Sequence, residues 1–494
     1  MIPLDAVADL PAKTIAFTSV LFLSFAIMTN AGGILLNTPT IAPPLDPGFR
    51  PISLGNRKYR DAVSADPRRV PLAIALERND DCTSVFTTEI FDSASDHEEA
   101  TRIYVERLVK FLLWQIGGWK ITIGAPRGIG DFIRQTYSHN GARVFDVKLM
   151  ESVYEKPFVV EPVDFAKSPV ARESSVPLGG HLDGGRIGFD LGASDYKLAA
   201  VLNGEAVFTT EIPWDPRNES NPDWHYRQIN DGLKLAAKHL PRVDAIGGSS
   251  AGIYIDNKVM VASLFRAVPP DLFARKVKPL FLNLRQEWGV PFEVANDGDV
   301  TALAGAMSLQ SNGVLGIAMG SSQAAGFLDA QGRITGWLNE LAFAPVDYSP
   351  RAAADEWSGD IGCGVQCFSQ QAVVRLAAAA GIDLPGGHPA EQLKFVQGLH
   401  KQGDPRPPKI FETIGVYLGY ALAHYAEMYD FRHLLVLGRV TSGAGGDLIV
   451  QKAKEVLRAD FPELAKKLSL HLPDEKSKRV GQAVAAASLP EIRR

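Results

Sequence analysis

The stretch Ile187–Phe208, IGFDLGASDYKLAAVLNGEAVF, decides how this chain is read. Its opening run, IGFDLG, has the composition of a strand. Asp190 stands at the end of that strand, before a turn of small residues, and the remainder, DYKLAAVLNGEAVF, completes a hairpin pattern. Backbone amides in such a turn approach a phosphate closely, and a carboxylate placed there can hold hydrated magnesium. A D-x-G turn is common between strands and carries little alone. Its weight depends on the company it keeps further along the chain.

Working outward, a second glycine-rich strand end lies at Gly247–Gly252. Next, Val294–Met307 (VANDGDVTALAGAM) is an acidic turn opening a helix of small residues. Asp297 there can accept a proton from a substrate hydroxyl as a general base. The plainer reading is that Asn296, Asp297 or Asp299 caps the helix, and both can hold at once. In Gly316–Gly336 (GIAMGSSQAAGFLDAQGRITG), a strand and hairpin surround Gly320, Ser321 and Ser322, whose amides and hydroxyls can reach a terminal phosphate. An acidic residue, Glu340, comes next. From Leu434, LLVLGRVTSGAGGDLIVQKAKEVL reads as a buried strand, a turn at Gly438 and a helix, a place where a nucleotide base can lie.

Taken in order over about 300 residues, these segments resemble the ROK family of sugar kinases and regulators. The resemblance implies an α/β, actin-like (ribonuclease H-like) fold of two lobes with ATP and magnesium in the cleft between them. It implies phosphate contacts from Asp190, Gly192 and Ser194 and from Gly320, Ser321 and Ser322, with Gly438 at the adenosine turn. Asp297 would be the base, and Asn296 and Glu340 would bind sugar hydroxyls. Some positions depart from the family pattern. In place of D-x-G-G-T-K stand Asp190 to Asp195, with an acid where the lysine belongs; Ser322, Ala324 and Ala325 replace glycines, and each added Cβ narrows the approach to phosphate. Phe343 holds the position of a histidine. Of the zinc-binding cysteines only Cys363 and Cys367 remain, and two thiolates do not complete a tetrahedral site, so no metal is expected there.

The rest of the chain sets the frame. At 494 residues, with 46% hydrophobic and 22% charged residues and a formal net charge of -5, it predicts several packing units and excludes a basic nucleic-acid surface. Cys82, Cys363 and Cys367 are too few for a disulfide framework. Residues 1–69 read as an extension: an apolar run, Ile15–Leu36, without a positively charged flank, then a proline-rich extended arm over 37–69. Insertion in a membrane is not expected.

Residues 70–160 read as an α/β module, 161–185 as a linker, 186–300 as the first lobe and 301–494 as the second. Because VFTTEI occurs at both Val85–Ile90 and Val207–Ile212, with similar elements after each, the first module is expected to be a degenerate relative of the first lobe. No helix-turn-helix precedes Arg186, against a regulator. The expected function is ATP-dependent, glucokinase-like phosphorylation of a sugar hydroxyl in the cytoplasm, by a homodimer. The alternative is a catalytically lapsed sugar-binding or structural protein, suggested by the lost glycines.

Overall fold

The computed structural model describes residues 33–173, 178–192, 195–472 and 475–492. Ser194 and the apolar run up to residue 32 lie outside them. Among the described residues no helix is long and apolar enough to cross a membrane.

Residues 37–69 are not simply an extended arm. Ile52–Ala65 forms helix α1, with Pro51 just ahead of its first turn, where a missing N–H does no harm. Ile52, Tyr59 and Val63 fall on one face and are buried, together with Phe49, whose ring lies 4.7 Å from that of Tyr417. Polar neighbours dilute this stripe in the sequence, so its apolar face becomes evident only against the partner surface that covers it.

The N-terminal module comes next: β1 (Val70–Glu77), β2 (Thr83–Ile90), α2 (Glu98–Ile116), β3 (Lys120–Gly124), α3 (Arg127–Thr136), α4 (Val144–Tyr154) and β4 (Val159–Val163). Its sheet runs β2-β1-β3-β4. From Tyr104 to Ile116 every residue of α2 is buried, the signature of a helix enclosed on all sides. The module and the second lobe share one hydrophobic core, in which Leu108 and Trp114 join Phe343 and Tyr425.

The first lobe comprises β5 (Gly185–Leu191), β6 (Asp195–Leu202), β7 (Glu205–Pro213), α5 (Pro222–Ala237), β8 (Ala245–Ser250), β9 (Ile253–Ile255), β10 (Lys258–Val261), α6 (Leu280–Trp288) and β11 (Phe292–Asn296). Its main sheet has the order β11-β8-β5-β6-β7; β5, β6 and β7 form an antiparallel meander, and β8 and β11 run parallel to β5. This overturns the duplication inferred from VFTTEI. In the module, β3 pairs antiparallel with β1, whereas in the lobe β8 pairs parallel with β5. The shared hexapeptide sits on an edge strand in each sheet, β2 and β7. The β-branched and aromatic residues of the hexapeptide suit any edge strand with one solvated face, so common local physics accounts for the match.

The second lobe contains α7 (Asp297–Leu309), β12 (Val314–Met319), β13 (Gln323–Leu328), α8 (Gln370–Ala379), α9 (Pro389–Lys401), α10 (Arg406–Met428), β14 (His433–Leu437), α11 (Ala444–Asp460), α12 (Pro462–Lys467) and β15 (Ser469–His471). Its sheet order is β13-β12-β14-β15, parallel except at the β12–β13 hairpin. The last helix, α13 (Glu475–Ala487), packs on both lobes: it covers β5, β6 and β8 of the first and lies against α7 of the second. Two glycines make this packing possible. A Cβ on Gly188 would lie 1.8 Å from the Ala483 carbonyl oxygen, and one on Gly247 would lie 1.7 Å from that of Ala486. The carboxyl ends of β5, β8, β11, β12 and β14 converge on one cleft, the usual place for a ligand in α/β sheets.

Candidate active site

That cleft encloses about 510 Å³. Asp190, Gly192, Asn296, Asp297, Gly320, Ser321, Ser322, Glu340 and Gly438 all line it, so every candidate site residue among those described reaches one space.

Asp297 is the first residue of α7, and Asn296 is its N-cap: the Asn296 Oδ1 accepts from the Gly298 N–H at 2.7 Å. The Asn296 amide also donates to the Gly252 carbonyl at 2.7 Å, so the capping reading of this residue holds and part of its donor capacity is already used. The start of α7 lies hard against the β12–β13 hairpin. A Cβ on Gly298 would meet the Ala325 carbonyl at 2.1 Å, and one on Gly326 would meet the Gly298 carbonyl carbon at 2.0 Å. Those two glycines bring Asp297 beside the hairpin. Burial, followed by the nearby Asp190, pushes the Asp297 carboxyl up to about 6.

At the glycine-turn end of the cleft, Asp190 accepts from the Ser249 hydroxyl at 2.8 Å and pairs with Lys197 at 3.2 Å. Lys197 also reaches Asp195 at 3.3 Å. Burial raises the Asp190 carboxyl, and Lys197 is the largest opposing influence. A lysine thus stands two residues beyond the turn, where strand alternation puts residues 195 and 197 on the same face. The signal for it in the sequence is the period-two spacing of D-Y-K, which marks Lys197 once residue 195 is placed on a strand. Trp214 donates its indole N–H to the Gly192 carbonyl at 2.9 Å, closing this turn.

Gly320 begins the hairpin turn, its N–H bonded to the Ser322 carbonyl at 2.9 Å and its own carbonyl accepting from Gln370 at 2.8 Å. A Cβ built on Gly320 would meet nothing nearer than 3.6 Å, so the backbone borders open space. That opening shares the cleft with the carboxylate of Asp190 and the cation of Lys197, groups that could hold phosphate oxygens and a hydrated cation. Gly438 has φ 103°, and a Cβ there would lie 2.4 Å from the Met319 carbonyl, so the end of β12 imposes glycine at this turn.

At the acid-rich end, burial and then Asp297 push the Glu340 carboxyl up to about 7. Asp299, marked in the sequence only as a possible cap, is buried beneath it. It accepts from the Phe327 N–H at 3.2 Å and from the Asn339 amide at 2.9 Å, while the Tyr429 hydroxyl donates to the Asn339 Oδ1 at 3.0 Å. Burial pushes the Asp299 carboxyl up to about 7. Asn339 adopts a left-handed φ of 52°, a conformation asparagine tolerates better than most residues. Gln482 of α13 donates to the Asp297 carbonyl at 3.1 Å and to the Thr301 hydroxyl at 3.0 Å. No local pattern in the sequence marks Asn339 or Gln482, because their partners are distant in the chain.

Phe343 stacks on Trp114, ring centroids 4.3 Å apart. Cys363 and Cys367 are buried free thiols, each pushed up mainly by burial. Among the described residues no cluster of three histidine, cysteine or acidic side chains is arranged to hold a metal ion.

No protein-family model matches the sequence, and no curated protein matches it. Solved structures do. A ROK family transcriptional regulator, a homolog of the E. coli MLC protein, aligns over 62% of this chain and 78% of its own, with 20% identity and a TM-score of 0.50. A ROK hexokinase from Thermus thermophilus covers 61% of this chain and 97% of its own, at 16% identity and TM-score 0.48. A ROK family glucokinase from Streptomyces griseus, solved with glucose and AMPPNP, covers 62% and 99%, at 21% identity and TM-score 0.46. The two-lobed architecture of this chain, with its paired sheets and interlobe cleft, is the actin-like fold of ROK-family sugar kinases and regulators.

Proposed function

We propose that this chain is an ATP-dependent sugar kinase of glucokinase type. The observation that carries the reading is Asp297, a carboxylate at the first turn of α7, lining the cleft beside Glu340 and raised to about 6. A base with that affinity for protons is ionised at neutral pH and still takes a hydroxyl proton in a transition state. The sugar hydroxyl loses its proton to the Asp297 carboxylate while its oxygen bonds to the γ-phosphorus. The bond from that phosphorus to the bridging oxygen breaks, and ADP leaves with the electron pair. Glu340 and Asn296 bind neighbouring hydroxyls. Asp190, Lys197 and the Gly320–Ser322 turn hold the donor phosphates, with Gly438 bordering the base. Magnesium beside Asp190 would neutralise charge on the phosphates when bound.

On this reading the protein works in the cytoplasm, where ATP is plentiful, as a homodimer. A second reading, sugar binding without turnover, is favoured by Ser322, Ala324 and Ala325 at hairpin positions where glycines would admit phosphate more closely. Both are tested by assaying ADP release with Mg-ATP across a hexose panel, alongside calorimetric sugar titration. Sugar-dependent ADP release supports the kinase. Sugar binding without release supports the second reading, and neither activity defeats both.

A further inference from the structure

The last carbonyls of a helix have no partner within it and must find one elsewhere. In α2 they find the segment that carries Glu340. The Ile116, Gln115 and Trp114 carbonyls accept, in turn, from the backbone N–H groups of Leu338 at 3.4 Å, Asn339 at 2.9 Å and Glu340 at 3.0 Å. Three successive amides are therefore set by one helix end. Trp114 adds its ring to Phe343, further along the same segment, and donates its indole N–H to Asp146.

The same helix is anchored on its other side by buried charges. Lys110 lies 3.0 Å from Asp146 and 3.3 Å from Asp360, and Arg107 lies 2.9 Å from Asp360. Asp360 belongs to the loop whose Asp355 and Trp357 also line the cleft. Breaking a buried pair of this kind exposes its partner's uncompensated charge, so the arrangement is rigid.

We propose that helix α2 of the N-terminal module is a positioning element for the sugar subsite, its C-terminal carbonyls setting Asn339 and Glu340 and its Trp114 setting Phe343. This rests on the sugar-kinase reading for the identity of the ligand, though not for the positioning itself. The module is then part of the site although none of its residues is among the described residues that line the cleft. Displacement of the helix end moves Glu340 relative to Asp297, which lies on a different element. Sugar binding weakens and donor binding does not.

The experiment compares full-length Trp114→Ala, Trp114→Phe and Gly117→Ala with wild type. Gly117 has φ 84°, and a Cβ there would lie 2.7 Å from the Leu338 Cγ and 2.0 Å from the Tyr154 hydroxyl, so alanine pushes on the segment without removing a side chain. Ile133→Ala, in α3 packed on the edge strand β4, serves as a control that loosens the same module elsewhere. Readouts are amide hydrogen exchange over residues 338–343, D-glucose affinity and Mg-ATP affinity.

For Trp114→Ala and Gly117→Ala, exchange at 338–340 should rise by about tenfold and glucose affinity fall by about fivefold or more, with Mg-ATP affinity unchanged. Trp114→Phe, which keeps a ring against Phe343, should restore most of both. Equal changes in Ile133→Ala at a matched loss of Tm, or unchanged exchange at 338–340 in both test variants, overturn the proposal. If Trp114→Ala does not fold, Gly117→Ala carries the comparison. If wild type binds no glucose, the sugar assignment fails for that ligand, while the exchange data still decide whether α2 positions the segment.

Discussion

Glu340 and Gly320 border the same cleft but are held in place by different means. Glu340 sits in a segment fixed by three backbone bonds to α2, by the buried set of Asp299, Asn339 and Tyr429, and by the stacked Trp114 and Phe343. Gly320 is fixed by backbone bonds to Ser322 and Gln370, with open space beside it. A buried network that is fully hydrogen-bonded specifies one geometry, whereas a short turn of small residues leaves its ligand to complete the ordering. The difference teaches that the acid-rich end is preorganised and the glycine-turn end is the half that a bound donor would organise. Substitutions should therefore act on sugar affinity, turnover and stability at the first and on donor affinity at the second.

The largest effect is expected at Asp297. Asp297→Asn keeps shape and cap but removes the proton acceptor, so turnover should fall by roughly a hundredfold or more while sugar affinity changes little. In wild type, kcat/KM should rise as pH climbs through about 6 and flatten above it, because Asp297 must be ionised. That limb should vanish in the variant. An unchanged rate would make Asp297 a cap and nothing more.

Asp299 gives the next effect. Its carboxyl is raised to about 7 in the folded protein, above its unfolded value, so the folded state holds the extra proton. Stability from this group is present at about pH 4 and is lost as pH rises through about 7. Asp299→Asn removes the titration while leaving an oxygen to accept from Phe327 and Asn339. The stability difference between variant and wild type, from urea unfolding, should shift in the variant's favour by on the order of 2 kcal/mol between those pH values. A pH-independent difference would mean that the network holds Asp299 ionised.

At the other end, Lys197→Met should raise the donor KM by roughly tenfold and leave the sugar KM unchanged, since a partly exposed ion pair contributes modestly. A larger effect on sugar than on donor would break the division of the cleft. Smallest of all, a chelator should leave Tm unchanged, measured by calorimetry on protein without nucleotide, because Cys363 and Cys367 lack further ligands among the described residues. One tightly held zinc per chain by elemental analysis would show that ligands outside those residues complete the site.

What the sequence determined by itself was the order of turns. Asp190, Asn296–Asp297, Gly320–Ser322, Glu340 and Gly438 each end a strand or open a helix or turn, and such punctuation is local, readable from a few neighbours. The two-lobed fold was implied by the family resemblance that this order carries. Tertiary structure decided the rest, because it depended on partners far apart in the chain. Helix α1 shows which face it buries only once α10 of the second lobe and β2 of the module pack against it. VFTTEI reads alike at two edge strands whose neighbours differ in direction. Asn339, Gln482 and α2 gain their roles from contacts spanning from 40 to over 200 residues, at distances where no periodicity in the sequence carries information.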